Sequence, residues 1–137
     1  MEALERLVAE AEIRRTVGDY CQSCDDGRFA DYAACFTADG EVVLGPDVVA
    51  AGRPAIEAWI TKAMPPAQRG MHVTVNTLIT WTGDASAHAT TDFLFLAHGD
   101  SGPRITSAGR YLDTFAPDVD GRWLFARREI RLLRLPG

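Results

Sequence analysis

A chain of 137 residues, 47% hydrophobic and 24% charged, has the size and composition of one soluble domain that buries about two-thirds of its unfolded surface. The net charge of −5 speaks against nucleic acid or an anionic membrane as a partner, and no apolar run approaches the roughly 20 residues of a membrane span. Three cysteines make no disulfide framework, and the charged start "MEALERLVAEAEIRR" lacks the apolar stretch of a signal peptide, so a reduced, cytoplasmic protein is expected.

Residues 2 to about 24 read as one helix, with Ile13, Val17, Tyr20 and Cys24 spaced by four, three and four. "DDGRF" breaks it, and "RFADYAACF" gives a second short helix. "TADG" reads as a turn and "EVVLG" as a short strand. A third helix starts at Pro54, in the favoured first-turn position, and stops at "MPPAQRG" because two prolines cannot continue it.

From residue 71 the texture changes to long alternating runs, 71–81, 85–98, 105–115 and 122–133, joined by "TGD", "GDSGP" and "APDVDG". Short connections between long strands predict an antiparallel meander. Helices first and then a long sheet make an α+β plan, in which the three helices cover one sheet face and a cavity remains where the cover is incomplete. Five late arginines, Arg122, Arg127, Arg128, Arg131 and Arg134, read mostly as a solvated strand face.

Within "RGMHVTVNTLITW" the alternation sends Val73, Val75, Thr77, Ile79 and Trp81 one way and His72, Thr74, Asn76 and Leu78 the other. A histidine and an asparagine in place of Lys or Glu make the second face unusual for a solvent face. His72 is either a satisfied structural group or, beside a carboxylate, a general base that titrates near neutral pH. Tyr20 and Asp25 stand near the end of helix one, about 140° apart round an ideal helix. They flank one opening only if the helix frays at Asp25; otherwise Asp25 and Asp26 are turn formers and Tyr20 is core. Asp92 sits mid-strand in "HATTDFLFLAH", where aspartate is disfavoured, and is either functional or held by a structural hydrogen bond. Arg131 in "REIRLLRL" is either a partner for an acid or substrate oxygen, or a rim charge. Cys21 and Cys24 form a lone C-x-x-C inside a helix and read as core thiols. His72 and His88 lack ligand spacing, so no metal is expected, and no phosphate loop, dinucleotide fingerprint or nucleophile elbow occurs.

The succession "YCQSCDDGRFADYAACFTADG", "GRPAIEAW", "MHVTVNTLITWTGDASAHA" and "GRYLDTF…DGRWLFARREIRL" resembles the SnoaL-like branch of the nuclear-transport-factor-2-like superfamily over nearly the whole chain. The likeness is greatest to the group of scytalone dehydratase, bile-acid 7α-dehydratase and hexachlorocyclohexane dehydrochlorinase. It implies a single α+β cone domain over residues 1–137, with a curved antiparallel sheet wrapped around three N-terminal helices and a deep pocket at the open end. It also implies that Asp25 and His72 form the group's acid–histidine pair and that Tyr20 matches the tyrosine of the bile-acid enzyme. Arg131 matches that enzyme's C-terminal arginine with one residue of slippage, and Asp92 falls within one position of its mid-strand aspartate. Leu44 stands where scytalone dehydratase has its second tyrosine, and Gly45 where a steroid isomerase has its base.

The implied activity is cofactor-independent elimination of the dehydratase type on a hydrophobic cyclic hydroxy-ketone such as a steroid or polyketide. His72 is the base, Asp25 orients it and Tyr20 is the donor. Asp92, Arg131 and Asn76 complete a polar wall, and Phe29, Phe36, Leu44, Trp59, Leu78 and Leu94 an apolar one. The rival readings are an isomerase or aldol cyclase using the same base, or a non-catalytic small-molecule binding domain. A homodimer or homotrimer is expected, with Val73, Val75, Ile79 and Trp81 on its apolar outer face.

Overall fold

The apolar spacing of helix α1 (Ala3–Asp25) buries Ala9, Ile13, Val17, Tyr20, Cys21 and Cys24 along one stripe, and this stripe faces the sheet. In this computed structural model, which describes residues 1–134, a short helix α2 (Phe29–Ala34) follows. Strands β1 (Phe36–Leu44) and β2 (Asp47–Ala51) lead to helix α3 (Arg53–Ala63) and one 3₁₀ turn (Pro66–Gln68). The chain ends in four long strands, β3 (Gly70–Gly83), β4 (Ser86–Ala97), β5 (Arg104–Pro117) and β6 (Trp123–Leu132).

The strand order is β2-β1-β6-β5-β4-β3, a curved sheet that does not close. The predicted meander and the three predicted helices are present. Three details differ from the expectation. "TADG" is not a turn but part of β1, where the register shifts between Phe36 and Glu41. The segment "DVVAA" forms β2, an edge hairpin with β1. Strand β1 pairs with β6 in parallel, so the sheet is mixed rather than wholly antiparallel.

Two bulges decide which residues face inwards. In β3 the register shifts between Val75 and Leu78, and Asn76 takes a left-handed φ of 58°. Asparagine tolerates that conformation better than most residues. His72 and Thr74 face inwards before the bulge; Thr77, Ile79 and Trp81 face inwards after it. Thr77 meets the buried Thr91 at 3.0 Å, and Trp81 packs edge-on against Trp123 at 5.1 Å and donates to Glu10 at 2.9 Å. The expected outer row therefore keeps Val73 and Val75, loses Ile79 and Trp81 to the interior, and gains Leu78. In β6 a second shift, opposite Thr114 and Phe115, turns both Phe125 and Arg128 inwards. Arg128 is fully buried, so the late arginines are a solvated face with one exception.

The interior is dry enough to govern ionisation. Burial pushes the Cys21 thiol up to about 11, the Cys24 and Cys35 thiols up to about 12 and the Tyr20 hydroxyl up to about 12. These groups are neutral in the fold and ionise more readily once unfolded. Their stabilising contribution is complete below the ordinary thiol value of 9.0 and is lost as pH rises through about 11 to 12. The urea midpoint is thus expected to fall steadily above pH 9. A midpoint unchanged up to pH 11 would show that these thiols are not sequestered.

Candidate active site

Asp25 is the last residue of α1, and β3 enters beside it, so the helix terminus and the start of the strand face each other. The Asp25 carboxylate accepts the His72 backbone N–H at 3.2 and 3.0 Å, and its Oδ1 lies 2.6 Å from His72 Nδ1. Both side chains are largely shielded, at 13% and 14% exposure. An ionised carboxylate has only lone pairs to offer, so the neutral imidazole places its proton on Nδ1 and leaves Nε2 as the free basic nitrogen.

His72 borders an inner cavity of about 190 Å³ with Tyr20, Cys24, Tyr32 and Tyr111, and with Trp59, Ile60, Ala63 and Met64 of α3. Phe93, Phe95, Ser107, Ile130 and Leu132 complete its lining. Tyr20 lies 6.4 Å from His72 between ring centres. The Tyr32 hydroxyl donates to the Tyr20 hydroxyl at 3.0 Å, which leaves the Tyr20 proton free to serve another acceptor. Burial raises both phenols, so both stay protonated donors.

Beneath the tyrosines lies a buried ion pair. Arg128 Nε and Nη2 donate to Asp113 Oδ1 and Oδ2 at 2.8 and 2.9 Å, and both side chains are fully buried. Burial opposes charge on Arg128, but contact with Asp113 outweighs it and the guanidinium is held above its ordinary value. Burial also pushes the Asp113 carboxyl upwards against the pull of Arg128. The two parallel short bonds identify the pair as carboxylate and guanidinium. The guanidinium carbon sits 3.6 Å from the Tyr111 ring centre, 4.1 Å from Phe125 and 4.3 Å from Tyr20. Its Nη1 has no partner among the described residues.

The structure brings together Asp25, His72, Tyr20, Cys24 and Trp59 of the residues singled out by sequence, keeps Phe36 against Tyr20 in the core, and places Asn76, Asp92, Arg131, Leu44, Leu78 and Leu94 away from them. Asp92 is on the outer face, directly opposite Arg110, whose Nε donates to it at 2.6 Å; Asn76 donates to it at 3.1 Å. Arg110 and Asn76 hold the Asp92 carboxyl below its ordinary value, which is the structural explanation of a mid-strand aspartate. Arg131 is also outward and pairs with Glu129. Leu78, 70% exposed, and Leu94 share that face, and Leu44 lies half-exposed at the end of β1. Phe36 is core, packed on Tyr20 and Tyr32, and Phe29 packs at the edge of the core under Arg69. The expected polar wall of Asn76, Asp92 and Arg131 is thus replaced in the cavity lining by Tyr20, Tyr32, Tyr111 and Ser107, with the Arg128–Asp113 pair buried behind the tyrosines. A broader depression of about 670 Å³ borders Asp92, Arg110 and Arg131, but it belongs to the outer face and does not include the dyad.

Asp113 carries a signal that points to this. In "YLDTF" it alternates with Tyr111 and Phe115, so an acid on an apolar strand face requires a buried cation. Among the described residues no three His, Cys, Asp or Glu side chains converge on one point, and no helix is long and apolar enough to cross a membrane.

A family model described as a SnoaL-like domain matches residues 5–129. No curated protein sequence matches the chain. Among solved structures, Rv3472(D26N) from Mycobacterium tuberculosis, a protein of unknown function, is 26% identical with a TM-score of 0.88, over 98% of this chain and 78% of that one. ActVI-ORFA from Streptomyces coelicolor is 29% identical with a TM-score of 0.80, over 90% and 96%. A protein from Novosphingobium aromaticivorans, provisionally described as a scytalone dehydratase, is 27% identical with a TM-score of 0.81, over 97% and 89%.

Proposed function

The chain belongs to the SnoaL-like domain family, and on that premise we propose that it is a cofactor-independent lyase that eliminates water from a cyclic hydroxy-ketone. The reading is carried by the 2.6 Å contact between His72 Nδ1 and Asp25, which frees Nε2 beside a cavity that also holds a tyrosine donor. Similarity to the Novosphingobium protein described as a scytalone dehydratase supports elimination as the outcome.

His72 Nε2 takes a proton from the carbon alpha, or vinylogous, to the carbonyl. The C–H electrons move towards the carbonyl oxygen, where the Tyr20 hydroxyl, supported by Tyr32, stabilises the developing enolate. Asp25 stabilises the imidazolium that forms. Collapse of the enolate forms the new C=C bond and breaks the C–O bond at the beta carbon. The imidazolium returns its proton to the departing hydroxyl, so one water leaves and His72 is again neutral. Isomerisation and aldol cyclisation share the first of these steps and differ only in where the enolate goes.

The half-exposed Val75 and the exposed Leu78 on the outer face support association into a homodimer or homotrimer. Three free, buried thiols suit a reducing compartment, and the cytoplasm is the proposed location.

The experiment is to supply small cyclic β-hydroxy ketones and follow the absorbance of the conjugated enone. Tyr20→Phe is expected to lower kcat by about 10²- to 10³-fold, as for loss of one oxyanion donor, with little change in KM. It also leaves the Tyr32 hydroxyl without its acceptor, at a stability cost of about 1–3 kcal/mol. An unchanged kcat would remove Tyr20 from the mechanism. Saturable binding with no enone from any ketone would favour a binding domain.

A further inference from the structure

The inner cavity is small, and one of its walls is aromatic throughout. At about 190 Å³ it falls below the range of about 300–1,000 Å³ usual for sites that enclose drug-sized ligands. It is only slightly larger than an apolar cavity of about 150 Å³, which accepts a single benzene ring.

Two glycines let the ends of the aromatic wall pack close to the sheet. Phe95 lies across the neighbouring strand at Gly70, where an added Cβ would come within 2.9 Å of Phe95 Cζ. Phe93 lies across Gly109 on the other neighbour, where an added Cβ would come within 2.9 Å of Phe93 Cε1. At both positions a backbone carbonyl oxygen, Leu96 O or Arg131 O, would lie nearer still, so only glycine lets strand and ring pack this closely. Phe93 is also stacked on Tyr111 at 4.4 Å and 18°, and Phe95 packs on the His72 ring at 4.8 Å. Tyr111 in turn abuts Tyr20 at 5.8 Å. The aromatic wall therefore runs continuously from Phe95 past the dyad to Phe93, with each end packed over a glycine. The opposite wall, Trp59 and Met64, is apolar.

We infer that the inner cavity selects a cyclic carbonyl compound of one ring or two fused rings and excludes three- and four-ring systems, steroids included, with Phe95 setting the limit beside His72. The carbonyl rests on the proton-abstraction reading; the ring limit rests on the cavity alone. Phenols serve as probes because a phenol has the shape and donor–acceptor character of an enol, and their binding needs no turnover.

The test is an equilibrium titration of the full-length protein with phenol, 2-naphthol, 2-hydroxyanthracene and the four-ring steroid equilenin. Probe fluorescence and the His72 ring signals in NMR are followed together. Phenol and 2-naphthol are expected to saturate and to shift His72. Affinity is expected to fall at least about tenfold from two rings to three, with no saturable effect on His72 from equilenin. Phe95→Leu, a conservative truncation that keeps an apolar wall, is expected to raise the affinity for 2-hydroxyanthracene relative to phenol. Equilenin binding as tightly as 2-naphthol with His72 shifted would overturn the ring limit and leave the base intact. Failure of every probe to reach His72 would also overturn it, and a Phe95→Leu variant with an unchanged cut-off would overturn the role of Phe95. If 2-naphthol binds as expected but no ketone is ever turned over, the size limit stands and the lyase reading fails.

Discussion

His72→Gln is expected to lower kcat by about 10²- to 10⁴-fold, the contribution of a positioned general base, while the protein stays folded. The fold survives because the His72 backbone N–H, not its ring, supplies two of the contacts to Asp25. Asp25→Asn tests the orienting carboxylate separately. An asparagine amide can turn its N–H₂ towards Nδ1, which makes Nδ1 the acceptor and puts the ring proton on Nε2. The base then faces the substrate with its nitrogen already protonated, and a loss of up to about 10⁴-fold is expected on the scale of wrong-tautomer variants elsewhere. Steady-state kinetics with circular dichroism as the folding control reads both. Retention of full activity in either variant would dissolve the dyad.

Arg128→Met is expected to destabilise the fold by about 3–5 kcal/mol, because it leaves the fully buried Asp113 carboxylate without its cation. For a domain of this size that is a fall in melting temperature on the order of 10–20 °C. The double variant Arg128→Met with Asp113→Leu removes both charges and is expected to recover much of the loss. Calorimetry of the parent, of each single variant and of the double variant measures the coupling. Recovery of stability without recovery of turnover would show that the cation beneath Tyr20, 4.3 Å from its ring, serves the site rather than the fold. A single variant as stable as the parent would mean that the pair is not buried as described.

The strand meander and the helix order were legible because both depend on local periodicity and on Pro and Gly punctuation. The parallel pairing of β1 with β6 was not, since it joins segments more than 80 residues apart through no local signal. The dyad was open to two readings from spacing alone and became specific only through resemblance to a family. The rest of the pocket was misplaced by two bulges. Strict alternation in β3 carries Asn76 and Leu78 inwards with His72, but the left-handed turn at Asn76 reverses the faces beyond it. In β6 one extra residue turns Arg128 inwards and leaves Arg131 outside. A one-residue shift flips every later side chain, so a slip that leaves the strand prediction intact exchanges the polar lining of the pocket for that of the outer face. An asparagine inside a β-branched run, and an aspartate alternating with aromatics, were the two available warnings.

The most direct measurement is hydrogen–deuterium exchange at carbon. Small one- and two-ring ketones, 2-tetralone among them, are incubated in D₂O with the parent protein and with His72→Gln, and deuterium at the alpha carbon is followed by NMR. Exchange reports proton abstraction alone, whether the enolate goes on to eliminate, isomerise or cyclise. The account predicts saturable exchange above the buffer rate with the parent protein and its loss in His72→Gln. Exchange no faster than buffer for every ketone that occupies the pocket, or equal rates with both proteins, would contradict the claim that His72 is a base acting on carbon.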